Sequence, residues 1–561
     1  MSKHNPIKTF CSVAACRMTR FFLRLLKSGG TTLPGRSALF FDSKILEVVS
    51  RGMNIIVVTG TNGKTTTCSM IRNALYEGGV KALSNVSGAN LLTGITAEFA
   101  SAATLTGRPK NKFAIIECDE ATLKKVAPLI KPKVIVVTNL FRDQLDRYGE
   151  VMQTLTELKT GIQLVPDSTL CLNADCSLTT SLAQDVPNKI MYYGIGNVPI
   201  PGNETEDVLS DAKYCIRCGT EYEYEYHTYA HLGGFYCPNC GYKRPIPNTE
   251  VTVLASYTST GSDVGITFRH DSSDPDKEVT RRVLIGLPAL YNIYNATATL
   301  SAFMAVGWKK RAILESLAHV NSSFGRMENF NYNNVEIQMI LIKNPAGCNQ
   351  SLSYLASLDK DYIAVFALND KTADGHDISW IWDADYEKVT SDPHCKKIYI
   401  SGIRSADMLI RLKYAEADLE AIEVIKDKRK LIESMTSHEL PVFILPNYTF
   451  MLSIRSALSS MTGGEEFWKD QRNRRSTDQG NDRKNTRRAD RRSGRRSNNE
   501  ANHISDNEAE SFIYDDPDSI IYDESGNIIH DASDDYVYDN YASDGYVYDN
   551  SGNYEDEGEN I

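Results

Sequence analysis

The heptapeptide GTNGKTT at residues 60–66 limits what this chain can fold into more than any other feature. It follows the β-branched run NIIVV at 54–58 and precedes a helical pattern from Cys68 to Tyr76. In a strand–loop–helix of this kind, backbone N–H groups and a helix N-terminus face phosphate oxygens. Gly60 and Gly63 permit the tight turn and let the backbone approach an anion closely. Thr61 and Asn62 fill the loop between them. Lys64 is placed to reach the β- and γ-phosphates. Thr65 is placed to put its hydroxyl on Mg²⁺, with Thr66 beside it.

Further apolar runs, at 113–117, 134–138 and 169–172, alternate with helical patterns. Continuous β-branched runs suit parallel strands covered on both faces, so the expected class is α/β, doubly wound. A second α/β pattern begins near Val335, with runs at 336–342, 362–366, 397–400 and 442–445. A chain of 561 residues is too long for one core. The expected division is a lead-in at 1–44, a central ATP-binding domain at 45–325, a smaller α/β domain at 326–465 and a disordered tail at 466–561. A Cys-rich insert, about 211–247, interrupts the central domain.

The net charge of −11 belongs to the tail. Residues 472–496 hold eleven Lys/Arg and three Asp/Glu, residues 497–561 hold nineteen acids and no Lys/Arg, and the first 471 residues are formally neutral. The tail also repeats YVYDN at 536–540 and 546–550, a composition that cannot build a core. No apolar run reaches the ~20 residues of a spanning helix. Residues 8–27 mix Phe and Leu with Lys8, Arg17, Arg20, Arg24 and Lys27. They read as a basic amphipathic helix, either packed on the domain or touching an anionic membrane surface.

Of twelve cysteines, eight are scattered, which suits a reducing cytosol. The other four form Cys215-x2-Cys218 and Cys237-x2-Cys240, each pair followed by a glycine, Gly219 or Gly241. This is a zinc-ribbon spacing, and four thiolates make a closed, structural Zn²⁺ site. His227 and His231, between the pairs, are expected at the surface. Cys348, followed by Asn-Gln, is expected in a loop and not as a nucleophile.

The loop at 60–66 resembles that of the Mur-ligase superfamily, and the resemblance continues downstream. Glu117, in IIECD at 115–119, corresponds to the family's Mg²⁺-ligating Glu. TNLFRDQLDRY at 138–148 is similar to a segment that commonly reads DHLD, with Gln144 where many members carry a metal-binding His. Asn292 and Asn295, in YNIYN at 291–295, match the nucleotide-contacting Asn segment, and Arg326, in FGRME at 324–328, matches the Arg that opens the C-terminal lobe. No counterpart of the carbamylated Lys of several members is found. The resemblance implies a ligase: ATP phosphorylates a carboxylate, an amine attacks the acyl phosphate, and Lys64 and Arg326 stabilise the transferring charge.

The C-terminal half carries KNPAG at 343–347, LNDKTADGHDISWIWD at 368–383, SGIR at 401–404 and PNY at 446–448. Together with the Cys₄ insert these resemble the MurT family, the synthetase subunits of lipid II isoglutaminyl synthase. That resemblance implies amidation of the D-glutamate α-carboxylate of lipid II, with ammonia from a separate class I glutamine amidotransferase subunit of the GatD kind. It also implies that Asp377 completes the partner's Cys–His pair, with Asp374 and Asp383 as alternatives. Two other readings stand beside it. One is a Mur-type ligase that adds an amino acid or glutamate, as folylpolyglutamate synthase does. The other is a zinc-ribbon NTPase binding nucleic acid through residues 472–496. The neutral folded part argues against the latter, and no nucleic-acid partner is expected.

Overall fold

The computed structural model describes residues 5–25, 32–85, 89–142, 151–201, 211–269, 278–308, 311–320 and 325–461, with two short strands at 521–522 and 528–530. Gln144 lies outside the described residues, as does the tail apart from those two strands. The chain divides into two compact units, Met1–Ser323 with Pro345–Ser357 and Ile513–Ile561, and Phe324–Asn344 with Leu358–Phe512.

The first unit is built on β1 (Asn54–Thr59), β2 (Ala82–Ser84), β3 (Phe113–Glu117), β4 (Val134–Val137), β5 (Thr169–Asn173) and β6 (Ile190–Ile195). These strands are parallel, in the order β2-β3-β1-β4-β5-β6. Ile55, Val57, Ile115, Val136 and Leu170 are buried in one continuous core, as the unbroken β-branched runs require. The strand order reverses at β1, so the crevice beyond its carboxyl end is where such sheets bind ligands.

After β6 the chain forms a separate hairpin, β7 (Glu223–Tyr229) and β8 (Leu232–Tyr236), and then returns to the sheet as β9 (Thr249–Tyr257), β10 (Ser262–Arg269) and β11 (Glu278–Ile285). β9 adds parallel to β6, and β10 and β11 continue antiparallel, giving nine strands. This antiparallel extension goes beyond the parallel strands expected from the sequence, and its edge strand leaves much of its length unburied.

Two helical readings are corrected. The helix behind the loop spans Lys64–Glu77, so its first turn is the Lys-Thr-Thr-Thr of the loop itself. Cys348 lies in the helix Pro345–Ala356 and is buried, not in a loop. The N-terminal helix, Pro6–Leu25, packs with the helices Leu33–Phe41 and Leu92–Ala102.

The second unit has six strands: β12 (Arg326–Tyr332), β13 (Val335–Ile340), β14 (Tyr362–Ala367), β15 (Cys395–Ser401), β16 (Ile422–Val424) and β17 (Val442–Pro446). They run β12-β13-β17-β14-β15-β16, all parallel except β12 against β13. Its core gathers Ile337, Val365, Ile444, Met451 and Ile454.

Candidate functional site

The loop after β1 is braced from two sides. Gly60 and Gly63 have φ of 115° and 88°, in the left-handed region. A Cβ on Gly63 would stand 2.2 Å from Asn295 Oδ1, and one on Gly60 2.4 Å from Thr138 Oγ1. No other residue type fits either place. Asn139, at the end of β4, clamps the turn: its carbonyl accepts from Thr61 N (2.9 Å) and its Oδ1 from Asn62 N (2.9 Å). Asn295 Oδ1 accepts from the Thr67 hydroxyl (3.3 Å), and Asn295 Nδ2 donates to Asn292 Oδ1 (3.1 Å). Both asparagines are buried, on a helix, Leu290–Ala305, whose preceding residue Ala289 is held at φ 73°. The structure therefore brings Asn292 and Asn295 to the loop. Thr66 is buried within it.

Lys64 Nζ bonds the Gly60 and Thr61 carbonyls and forms an ion pair with Glu120 Oε1 at 2.8 Å. Burial pushes the Glu120 carboxyl above the usual range, partly offset by Lys64. Glu120 was missed by the sequence reading, because nothing in IIECDE marks which acid faces the loop. The Thr65 hydroxyl donates to Glu117 Oε2 at 2.8 Å. Asn85 holds Glu117 by its backbone, through bonds to Glu117 O (2.8 Å) and from Glu117 N (3.0 Å), and Asn90 Nδ2 reaches its Oε1 (3.4 Å). A nucleoside triphosphate with Mg²⁺ fits this loop: adjacent oxygens around octahedral Mg²⁺ lie about 3 Å apart, close to the spacing of the Thr65 and Glu117 oxygens.

The four cysteines of the insert converge, with all four sulfurs within 4.8 Å of one another. Cys215 and Cys240 sulfurs are 3.6 Å apart and Cys218 and Cys237 3.4 Å, near the ~3.8 Å of a tetrahedral Zn–S₄ centre. Gly219 N donates to Cys215 O and Gly241 N to Cys237 O, closing two like turns. The Thr220 hydroxyl and N–H lower the Cys218 thiol to about 6, so it is readily a thiolate. The donor set fits a structural metal ion.

The hairpin of this insert is tied to the phosphate loop. Contrary to expectation, His231 is fully buried. Its ring packs on Phe141 (4.7 Å), on which Tyr229 also stacks (5.7 Å), and its Nε2 lies 3.4 Å from Cys176 Sγ. Burial raises the Cys176 thiol, but His231 outweighs it and the net shift is downward. Phe141 in turn exchanges hydrogen bonds with the Thr61 hydroxyl (3.0 and 3.2 Å). Buried Asp175 anchors the base of the insert, accepting from Arg244 Nε (2.7 Å), Tyr294 OH (2.6 Å) and Ile195 N (2.8 Å). His227 stacks on Tyr224 (4.0 Å).

In the second unit, Arg326 opens β12 after Gly325, at a register shift where Met327 takes φ 57°. Asp377 lines a cavity of about 330 Å³ with His376, Trp382, Arg404 and Asp407. Its Oδ1 accepts from Ser379 N (2.8 Å) and holds the turn. Asp374 is buried elsewhere, its Oδ1 accepting from Thr449 N (2.7 Å) and its Oδ2 from the Thr449 hydroxyl, at the start of the helix Tyr448–Met461. Asp383 ends the short 3₁₀ turn Ser379–Asp383.

A phosphate loop at the reversal point of a parallel sheet, with an acid at the adjacent strand end, is a nucleoside-triphosphate site. The Mur ligase middle domain family matches residues 58–227, and the MurT ligase C-terminal family matches residues 341–451. Subunit MurT of lipid II isoglutaminyl synthase (glutamine-hydrolyzing) from Streptococcus pneumoniae is 34% identical, over 81% of this chain and 98% of its own length. The corresponding Staphylococcus aureus (strain COL) subunit is 31% identical over 82% and 100%. Among solved structures, a pseudomurein peptide ligase type C from Methanothermus fervidus shares the fold, with a TM-score of 0.54 at 20% identity over 73% of this chain and 78% of that one. The chain belongs to the MurT family of Mur-ligase-like subunits.

Proposed function

We propose that this chain is the synthetase subunit of a lipid II isoglutaminyl synthase. It uses ATP to amidate the α-carboxylate of D-glutamate in lipid II, at the cytoplasmic face of the membrane, with ammonia released from glutamine by a separate class I amidotransferase subunit. The observation that carries the reading is the braced loop with Thr65 paired to Glu117, joined in one chain to a MurT-type second unit.

Gly60, Thr61, Asn62, Gly63, Thr65 and Thr66 cradle the ATP phosphates, Asn292 and Asn295 fix the loop and the nucleotide side, and Thr65 and Glu117 hold Mg²⁺. That ion, when bound, offsets charge on the transferring phosphoryl group. Lys64 leaves Glu120 for the phosphate oxygens, and Arg326 carries the family's charge-stabilising role by its place in the FGRME segment. The substrate carboxylate becomes an acyl phosphate, ammonia displaces phosphate, and the amide remains. Asp377 faces the partner and orients the histidine of its Cys–His pair. Zn²⁺ at Cys215, Cys218, Cys237 and Cys240 holds the insert folded.

The reading is tested by incubating the chain and its amidotransferase partner with lipid II, glutamine, ATP and Mg²⁺. Mass spectrometry should show D-isoglutamine. Addition of glutamate or another amino acid in its place would support the alternative ligase. Metal analysis should find about one Zn²⁺ per chain, as one Cys₄ site holds one ion. Zinc retained in a Cys215→Ser/Cys237→Ser variant would move the metal elsewhere. A chain ended at residue 464 should keep full turnover, since the tail cannot form a core. A folded truncation without turnover would give the tail a part in catalysis.

A further inference from the structure

The first 41 residues contain seven Lys/Arg and no Asp or Glu. Within them the helix Pro6–Leu25 packs the wrong way round for an ordinary amphipathic helix. Its buried residues are Thr9, Ser12, Val13 and Cys16, a small and largely polar face. That face is fixed to the helix Leu92–Ala102 by Cys16 Sγ to Ala97 O (3.7 Å), by Arg20 to Glu98 (2.6 Å) and by Arg17 to Ala103 O. Its large apolar side chains, Ile7, Phe10, Met18, Phe21, Phe22 and Leu25, point outward and are half or more exposed. At 3.6 residues per turn they occupy an arc of about 120°, opposite the buried face. Lys8 and Arg24 flank that arc.

The neighbouring helix, Leu33–Phe41, packs against the first and exposes large apolar side chains of its own, Leu33 and Phe40. Phe40 is 84% exposed and packs edge-on to Phe41. This helix is not loosely held, because a Cβ on Gly35 would stand only 1.7 Å from Thr93 O. Soluble monomers rarely expose contiguous apolar patches of this kind, and here rigid helices hold it outward.

We propose that this face docks on an anionic lipid bilayer, with the phenylalanines at the acyl boundary and the basic flanks among the headgroups. Charge selects the occupant: a second copy would set the basic flanks of one chain, Lys8 and Arg24, against those of another, with no acid on the helix to offset them, whereas anionic headgroups complement them. The position suits the reading above. The helix Leu92–Ala102 beneath the face follows directly from Asn90, which bonds Glu117 at the nucleotide loop. The surface thus brings the reacting centre to a substrate held in the membrane. It deepens the lipid-substrate reading, and its test contains no precursor, so the two fail separately.

The test is co-sedimentation of the full chain with vesicles of phosphatidylcholine, alone or mixed with phosphatidylglycerol, at low and high salt. The wild type should pellet with the mixed vesicles, less so at high salt, and weakly with phosphatidylcholine alone. Phe21→Glu/Phe22→Glu/Phe40→Glu should lower binding on the order of tenfold or more, since binding scales with buried apolar area. Should that variant not fold, Phe40→Glu alone and Lys8→Glu/Arg24→Glu make the same comparison. A wild type left in the supernatant with both vesicle types overturns the proposal. So do variants that pellet like the wild type, and so does a wild-type dimer, lost in the phenylalanine variant, without vesicle binding.

Discussion

Lys64→Ala should lower ATP-dependent amidation by about a hundred- to a thousandfold, the usual effect of removing one charged stabiliser of a developing anion. The fold should survive. Lys64 is the partner of Glu120 in a buried ion pair, and removing one member of such a pair commonly destabilises by about 3–5 kcal/mol. Here burial already raises the Glu120 carboxyl, so it can take up a proton and shed much of that penalty. The variant should therefore unfold at a moderately lower temperature with its secondary structure intact, while product formation is nearly abolished with glutamine and with ammonium alike. Turnover at the wild-type rate would remove the loop from the mechanism.

Asp377→Asn should separate the two half-reactions. The substitution keeps the side chain's size and can keep the turn to Ser379, but it removes the charge that orients a partner histidine. Glutamine-dependent amidation should fall by roughly two to four orders of magnitude, as when the acid of a Ser–His–Asp triad is neutralised. Amidation from high ammonium should continue, and ATP binding should not change. The geometry favours Asp377 over Asp374, whose two oxygens are engaged by Thr449. Equal losses with glutamine and ammonium would mean that Asp377 serves only its own unit's fold. An unaltered glutamine rate would transfer the role to Asp383.

The parallel strands were legible because burial on both faces leaves a direct mark, an unbroken β-branched run. The antiparallel β9 to β11 extension leaves no such mark: its edge strand β11 is largely unburied, and residues such as Arg281 and Arg282 interrupt the apolar pattern there. The loop residues and the four cysteines were legible because glycine geometry and thiolate spacing are local. Glu120 and Asn139 were not, since each meets the loop from a different strand end and only the sheet order brings them there. His231 was misjudged for a related reason. Four sulfurs complete a metal shell, which leaves a histidine between them with no role in the spacing, but the hairpin turns it inward against Phe141 and Cys176. The N-terminal helix shows the converse: its sequence displays a clear apolar face, yet the small, polar face is the buried one.

On the proposed function, this chain alone holds the complete ligase half of the reaction. The most direct measurement gives the purified chain lipid II, ATP, Mg²⁺ and ammonium, with no partner and no glutamine, and follows phosphate release and the stem-peptide mass together. D-isoglutamine should form in step with phosphate, with no product when ammonium is replaced by glutamine. Phosphate release with the carboxylate left unamidated, or amidation without ATP, would contradict that function.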